Sequence, residues 1–327
     1  MKLVLFGGKG GVGKTTCAAA AALELAAAGH RTLLASTDPA HSLSDALEQE
    51  IGPDIQAVKG VRNLFALEIS AERLFLKFKE DHGQELRHLV ETGTYLNAED
   101  LDDLSSLSIP GLDEVMALKE LVDLVERGEY EYYLLDTAPT GHALRLLALP
   151  DLVEQWIRVL ARLRYKYRMI IGRIAHREIH EPADDLLFAL KRGVRCLDEL
   201  LHDPERCEFL VVTLPEAMVI AETGRLIEEL GRQRIPVRHL VVNHVVSAER
   251  VSCPFCHERW QGQRRLLQES MASFTALKVF QLLERARPIR GLAQLRELGF
   301  QIPWPAGDPA PAVTASLEDC AWRLHTV

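Results

Sequence analysis

The residues Gly8-Lys9-Gly10-Gly11-Val12-Gly13-Lys14-Thr15-Thr16 follow directly on the apolar run Leu3-Val4-Leu5-Phe6. No other feature constrains the fold as strongly. A strand has to end, the glycines have to curl the backbone with its N–H groups facing inward, and a helix has to begin at Lys14. Such a loop cradles the phosphates of a nucleotide and points a helix N-terminus at them. Gly8, Gly10, Gly11, Val12, Gly13 and Thr16 are expected to line the cradle. Lys14 is placed on the β- and γ-phosphates, and the Thr15 hydroxyl on Mg2+. Lys9 is a second lysine, set early in the glycine run. The pattern predicts a site for a nucleoside triphosphate.

A chain of 327 residues is long enough for a large core. Short runs rich in Val, Leu and Ile alternate with helical stretches, which predicts a parallel sheet covered on both faces. The expected strands are Lys2–Phe6, Thr32–Ser36, Leu64–Ile69, Tyr132–Asp136, Phe209–Thr213, Val237–Asn243 and Ala276–Phe280. Residues 71–119 and 151–202 interrupt the alternation and read as helical insertions. The fold class expected is therefore α/β, a doubly wound and mostly parallel sheet with an inserted α-helical subdomain. Residues 1–70, 120–150 and 203–327 would form the nucleotide domain. The segment Gln301–Pro311 holds Pro303, Pro305, Pro309 and Pro311 and reads as an extended strap.

The net charge of −9 argues against nucleic acid as the main partner. The opening residues read as a strand and not as a charged-then-apolar leader, and no run approaches the roughly 18 apolar residues of a membrane span. Six cysteines with one close pair fit a reducing compartment, so a cytoplasmic protein is expected. Within the second insertion, Val153, Trp156, Ile157, Leu160, Leu163, Tyr167, Ile170 and Ile174 form one apolar stripe at helical spacing. Seven Lys or Arg lie between Arg158 and Arg177 without an acidic residue. The stripe reads as subdomain core with a solvated basic face; a lipid-surface role is the alternative.

Two carboxylates sharpen the chemistry. Asp136 ends the run Tyr132-Tyr133-Leu134-Leu135, the form that holds Mg2+ through water. Asp38 follows the second strand, where a carboxylate can orient and deprotonate an attacking water. Cys253 and Cys256 supply half of a tetrahedral metal site, and a two-fold axis would bring the other half. Zn2+ suits four such thiolates, an iron–sulfur cluster is chemically open to the same set, and a redox pair is a third reading.

The segments Gly8–Thr16, Ser36–Ser42 and Asp136–Leu147, together with Ser108–Glu114, Pro215-Glu216, Asn243 and Cys253–Cys256, resemble the arsenite-pump ATPase family. That family includes ATPases that escort tail-anchored membrane proteins. The resemblance implies a homodimer in which Lys9 reaches the partner's phosphates, with Asp38 as the catalytic carboxylate and Thr15 on Mg2+. It implies further that Glu216 and Asn243 contact the nucleoside and that the loop Pro288–Gly291 closes over the adenine. ATP, Mg2+ and a Zn2+ shared between two subunits are the implied cofactors. The implied function is ATP-driven binding and delivery of a tail-anchored or other hydrophobic-helix client, held between apolar stripes near Leu74, Phe75, Phe78 and Leu112–Val122. The membrane receptor is not legible. Alternatives are the ATPase subunit of an arsenite or antimonite efflux pump, an iron–sulfur carrier, and a surface-positioning ATPase.

Overall fold

The structure, a computed structural model, describes residues 1–38, 42–70, 73–74, 76–77, 80, 112–137, 182–247 and 253–300. The expectations for Pro39–His41, for 108–111, for 138–147, for Phe75 and Phe78, for the stripe and basic run within 153–177 and for the strap at 301–311 lie outside these residues.

The described strands form one sheet: β1 (Lys2–Gly7), β2 (Thr32–Ser36), β3 (Gln56–Ala57), β4 (Leu64–Glu68), β5 (Tyr132–Asp136), β6 (Cys207–Thr213), β7 (His239–Val245) and β8 (Lys278–Leu283). Their order is β3-β4-β2-β5-β1-β6-β7-β8, and every pairing is parallel except β3 with β4. The central strands are apolar on both faces: Leu3, Val4, Leu5 and Phe6 of β1 have no exposed surface, nor have Val211 and Val212 of β6. Alternation is unnecessary for strands covered on both sides, so the apolar runs were a faithful guide to them. β3 escaped the sequence reading because two residues carry no periodicity; its pairing with β4 is purely tertiary. β7 and β8 lie about two residues later than expected. Their apolar runs begin in the approach to each strand, where Phe209 N–H bonds the Pro236 carbonyl and Lys278 N–H the Arg238 carbonyl.

The described helices are α1 (Lys14–Ala27), α2 (Ser42–Leu47), α3 (Leu112–Arg127), α4 (Pro182–His202), α5 (Ala217–Arg232), α6 (Pro254–Met271) and α7 (Gly291–Leu298). α1 packs over β1, β2, β4 and β5 and against α2 and α7. Its run Ala18–Ala22 is buried, because small side chains are what allow a helix to be enclosed on nearly every side. No helix among the described residues is long and apolar enough to cross a membrane.

The chain divides into two compact units. The first, Met1–Ile69, Gly128–Leu144 and Leu200–Ala310, contains the sheet and the glycine loop. The second, Ser70–Arg127, Arg145–Glu199 and Pro311–Val327, contains α3 and most of α4.

Candidate functional site

Parallel strands leave their carboxyl ends on one edge, the usual place for a ligand in such a sheet. In register, Phe6 and Ser36 both lie beside Asp136, so the ends of β1, β2 and β5 meet there. The loop 8–13 leaves β1 at that edge and runs into α1, whose N-cap is Gly13 in the left-handed conformation. Gly8 is also forced: a Cβ there would stand 2.2 Å from the Val212 carbonyl oxygen of β6. The Lys14 ammonium folds across the loop and donates to the Lys9 carbonyl at 3.3 Å. Burial lowers the pKa of Lys14, while Asp136 and then Asp38 pull it back up.

Asp136 is completely buried. Thr15 Oγ1 donates to its Oδ2 at 2.5 Å, and the Ser36 and Ser42 hydroxyls reach the same oxygen at 3.4 Å. Its Oδ1 is buried with no hydrogen-bond partner. Burial pushes its pKa up to about 6, against the pull of the Thr15 hydroxyl and the Lys14 charge. A buried carboxylate with one crowded and one bare oxygen suits a water-bridged divalent cation, and the Thr15 hydroxyl beside it is of a type that could ligate such a cation directly. The residues present therefore fit Mg2+. Ser36 and Ser42 bound one of the segments that carry the family resemblance, but no role was read for their hydroxyls; a hydroxyl at a strand end carries no signal until the strands are paired.

The Asp38 N–H donates to Ser36 Oγ at 3.1 Å, so the backbone at Asp38 turns into the same cluster. The Thr37 N–H reaches the Asp136 carbonyl at 3.0 Å, and the Thr137 hydroxyl the Phe6 carbonyl at 2.7 Å. Together these bonds stitch β1, β2 and β5 at the loop.

The other expected site residues fall around this cluster in different ways. Asn243 is buried and donates Nδ2 to the Val12 carbonyl at 3.0 Å, so in this structure it braces the loop itself. Lys9 is partly exposed on the loop, and its ammonium pairs with Glu222 of α5 at 3.4 Å within the same chain. Glu216 is exposed at the N-cap position of α5, and its side chain does not cap the helix. Pro288 is exposed three residues before α7. Neither of the last two joins the hydrogen-bonded cluster among the described residues.

Cys253 is the N-cap of α6, accepting the Cys256 N–H at 3.2 Å, with Pro254 at the first helical turn. The two sulfurs lie 3.0 Å apart. The Cys256 thiol and then its N–H, both directed at the Cys253 sulfur, lower the Cys253 pKa. Two convergent thiols, Cys253 exposed and Cys256 half-buried, fit half of a tetrahedral thiolate site; no group of three or more metal-ligating side chains occurs among the described residues. His257, next in the chain, engages Gln261 at 2.7 Å and lies 5.8 Å from the Trp260 ring.

Comparison with known proteins agrees with this geometry. Residues 1–303 match the family described as anion-transporting ATPase. The chain is 34% identical to ATPase GET3C of Arabidopsis thaliana over 321 residues, covering 91% of this chain and 81% of the relative. It is 32% identical to ATPase ASNA1 homolog 1 of Paramecium tetraurelia, with 91% of each chain covered. ATPase GET3 of Rhodotorula glutinis is 31% identical, with 94% of this chain and 89% of the relative covered. With a phosphate loop, a buried carboxylate and a lysine assembled at the carboxyl edge of a parallel sheet, this chain belongs to the anion-transporting ATPase family and is an ATP hydrolase.

Proposed function

We propose that two copies of this chain close face to face around ATP, and that closure switches on hydrolysis and drives the capture and release of an apolar helix from a tail-anchored membrane protein in the cytosol. The observation that carries this reading is the position of Lys9. Its side chain is 41% exposed on the outer side of a loop whose inner side is served by Lys14. A cation there can leave Glu222 and meet a phosphate presented by a second copy, adding transition-state stabilisation that exists only in the closed dimer. Asp38 would hold and deprotonate the attacking water, Lys14 would bind the β- and γ-phosphates, and the loop N–H groups would cradle them. Mg2+, held by Thr15 and through water by Asp136, would offset charge on the phosphates. Glu216, Asn243 and the Pro288 loop would surround the nucleoside. Cys253 and Cys256 from each subunit would share one Zn2+, and the helical unit would supply the client surface.

The test joins enzymology to client capture. Lys9→Ala is expected to leave ATP binding within about twofold while lowering turnover by about a hundredfold or more. A client with a single C-terminal apolar span should stay soluble with the ATP-loaded wild-type dimer. Unimpaired turnover in Lys9→Ala sinks the cross-dimer role, and loss of every such client from solution sinks the delivery role.

A further inference from the structure

The phosphate loop is tied to α6 through a bulge in β7. The register of β7 on β8 shifts between Val242 and Val245, and His244 inside that interval has φ 58, in the left-handed region. A histidine keeps this conformation only where its surroundings hold it. Here one holder is Gln263, in the middle of α6, beside the Glu284 N–H of the chain after β8, which bonds the Val245 carbonyl at 2.9 Å. Gln263 Nε2 donates to the His244 carbonyl at 3.3 Å, and its Oε1 accepts the Val246 N–H at 2.9 Å. One carboxamide thus grips the backbone on both sides of Val245, immediately after His244.

The consequence appears on the other side of the bulge. The His244 N–H is turned onto Asn243 Oδ1 at 2.9 Å. With Oδ1 occupied, the Asn243 carboxamide can face the loop only with Nδ2, which donates to the Val12 carbonyl. The fit is close: a Cβ on Gly13 would come within 2.4 Å of that Nδ2. The loop therefore has an external brace whose orientation is set by a residue it never touches.

We propose that Gln263 is a positioning residue for nucleotide binding: by holding His244 left-handed, it aims Asn243 at Val12 and keeps the phosphate loop in its binding form. This rests on the reading of Gly8–Thr16 as the nucleotide site. Without the clamp, His244 relaxes toward extended backbone, the Asn243 amide turns, and the Val12 carbonyl loses its donor. The loop then samples forms that do not bind, and affinity falls by the fraction lost.

The experiment measures equilibrium binding of ATPγS with Mg2+ to the full chain as wild type, as Gln263→Leu and as Gln263→Leu/His244→Gly, with thermal melting to establish folding. Gln263→Leu should weaken binding about five- to tenfold, the low end of what two lost hydrogen bonds amount to, because they act on the loop indirectly. Glycine enters the left-handed region without strain, so the double variant should recover at least half of that loss on a logarithmic scale. A purely structural role for Gln263 predicts no such rescue, because glycine loosens the strand further. Wild-type affinity in Gln263→Leu, or no recovery in the double variant, overturns the proposal. Should Gln263→Leu fail to fold, Gln263→Glu keeps the acceptor for Val246 and loses the donor to His244, and is read by the same two outcomes. Failure of the wild type itself to bind ATPγS overturns the nucleotide-site reading beneath it.

Discussion

Two carboxylates are buried at opposite ends of the same sheet, and their surroundings differ in kind. Asp136 ends β5 at the loop edge, with three neutral hydroxyls on one oxygen and a bare second oxygen. Glu208 sits near the amino end of β6, hydrogen-bonded to the buried His239 at the start of β7, with Arg238 3.7 Å from its other oxygen. Arg238 is itself anchored on the Pro204 carbonyl. Both groups lose water completely, so burial alone does not separate them. Each keeps one buried oxygen without a hydrogen bond; what separates them is charge, because that oxygen of Glu208 faces the Arg238 guanidinium of its own chain at 3.7 Å, whereas among the described residues no cation pairs with Asp136 Oδ1. A carboxylate at the mouth of a sheet with no cation of its own chain on its bare oxygen is prepared for a metal ion, and one already paired with a guanidinium at the base serves the fold.

The contrast can be broken most directly at Asp136. Asp136→Asn should lower Mg2+-dependent ATP hydrolysis by at least about a hundredfold, yet stabilise the nucleotide- and magnesium-free protein at pH 8. Its carboxyl titrates at about 6 when folded, above its ordinary 3.8. Ionised Asp136 therefore opposes folding. That penalty is complete above pH 6 and disappears as pH falls through 6 toward 3.8, so the gain should be on the order of 1–3 kcal/mol at pH 8 and near zero at pH 4. Denaturant unfolding across that pH series measures it, and a variant less stable than wild type at pH 8 would contradict the assignment.

At the other end, Glu208→Ala should cost about 3 kcal/mol of stability, because it leaves His239 and Arg238 without their buried partner. Turnover per folded molecule should not change, and a double cycle with His239→Ala should give a coupling of about 1–3 kcal/mol. A large drop in kcat with stability intact would erase the distinction between the two ends.

The smallest effect belongs to a much more exposed pair, Lys9 and Glu222. Glu222→Gln should change stability by less than about 1 kcal/mol, since a partly exposed ion pair contributes little. Thermal melting checks this; a loss of several degrees would mean that the pair is part of the fold and not a resting position for Lys9.

The two ends also differ in how far they could be read in advance. The loop and Asp136 were legible because phosphate chemistry demands specific residues at short, local spacing: glycines where a side chain would collide with Val212 or Asn243, a lysine and a threonine at the helix start, a carboxylate after an apolar run. The segment Ser36–Ser42 was marked through Asp38 and the family resemblance, but that its two end hydroxyls meet on Asp136 was not legible, since Asp136 lies about a hundred positions away. Asn243 was picked out as a nucleoside contact through family resemblance, while its bond to Val12 joins β7 to the loop after β1, two strands away and 231 positions apart, and had no local sign. Glu208 and His239, 31 positions apart, were not singled out in the sequence at all.

The amino-acid sequence by itself determined the parallel α/β architecture, the phosphate loop and the identity of its cationic and acidic residues, because apolar runs and glycine spacing act over a few residues. Only the tertiary structure decided which oxygen of Asp136 stays bare, that Glu208 is closed off by His239, and that Gln263 holds the bulge behind Asn243. Those outcomes depend on strand order and register, which bring together groups that share no neighbourhood along the chain, and on the exclusion of water that makes each missing or present hydrogen bond count.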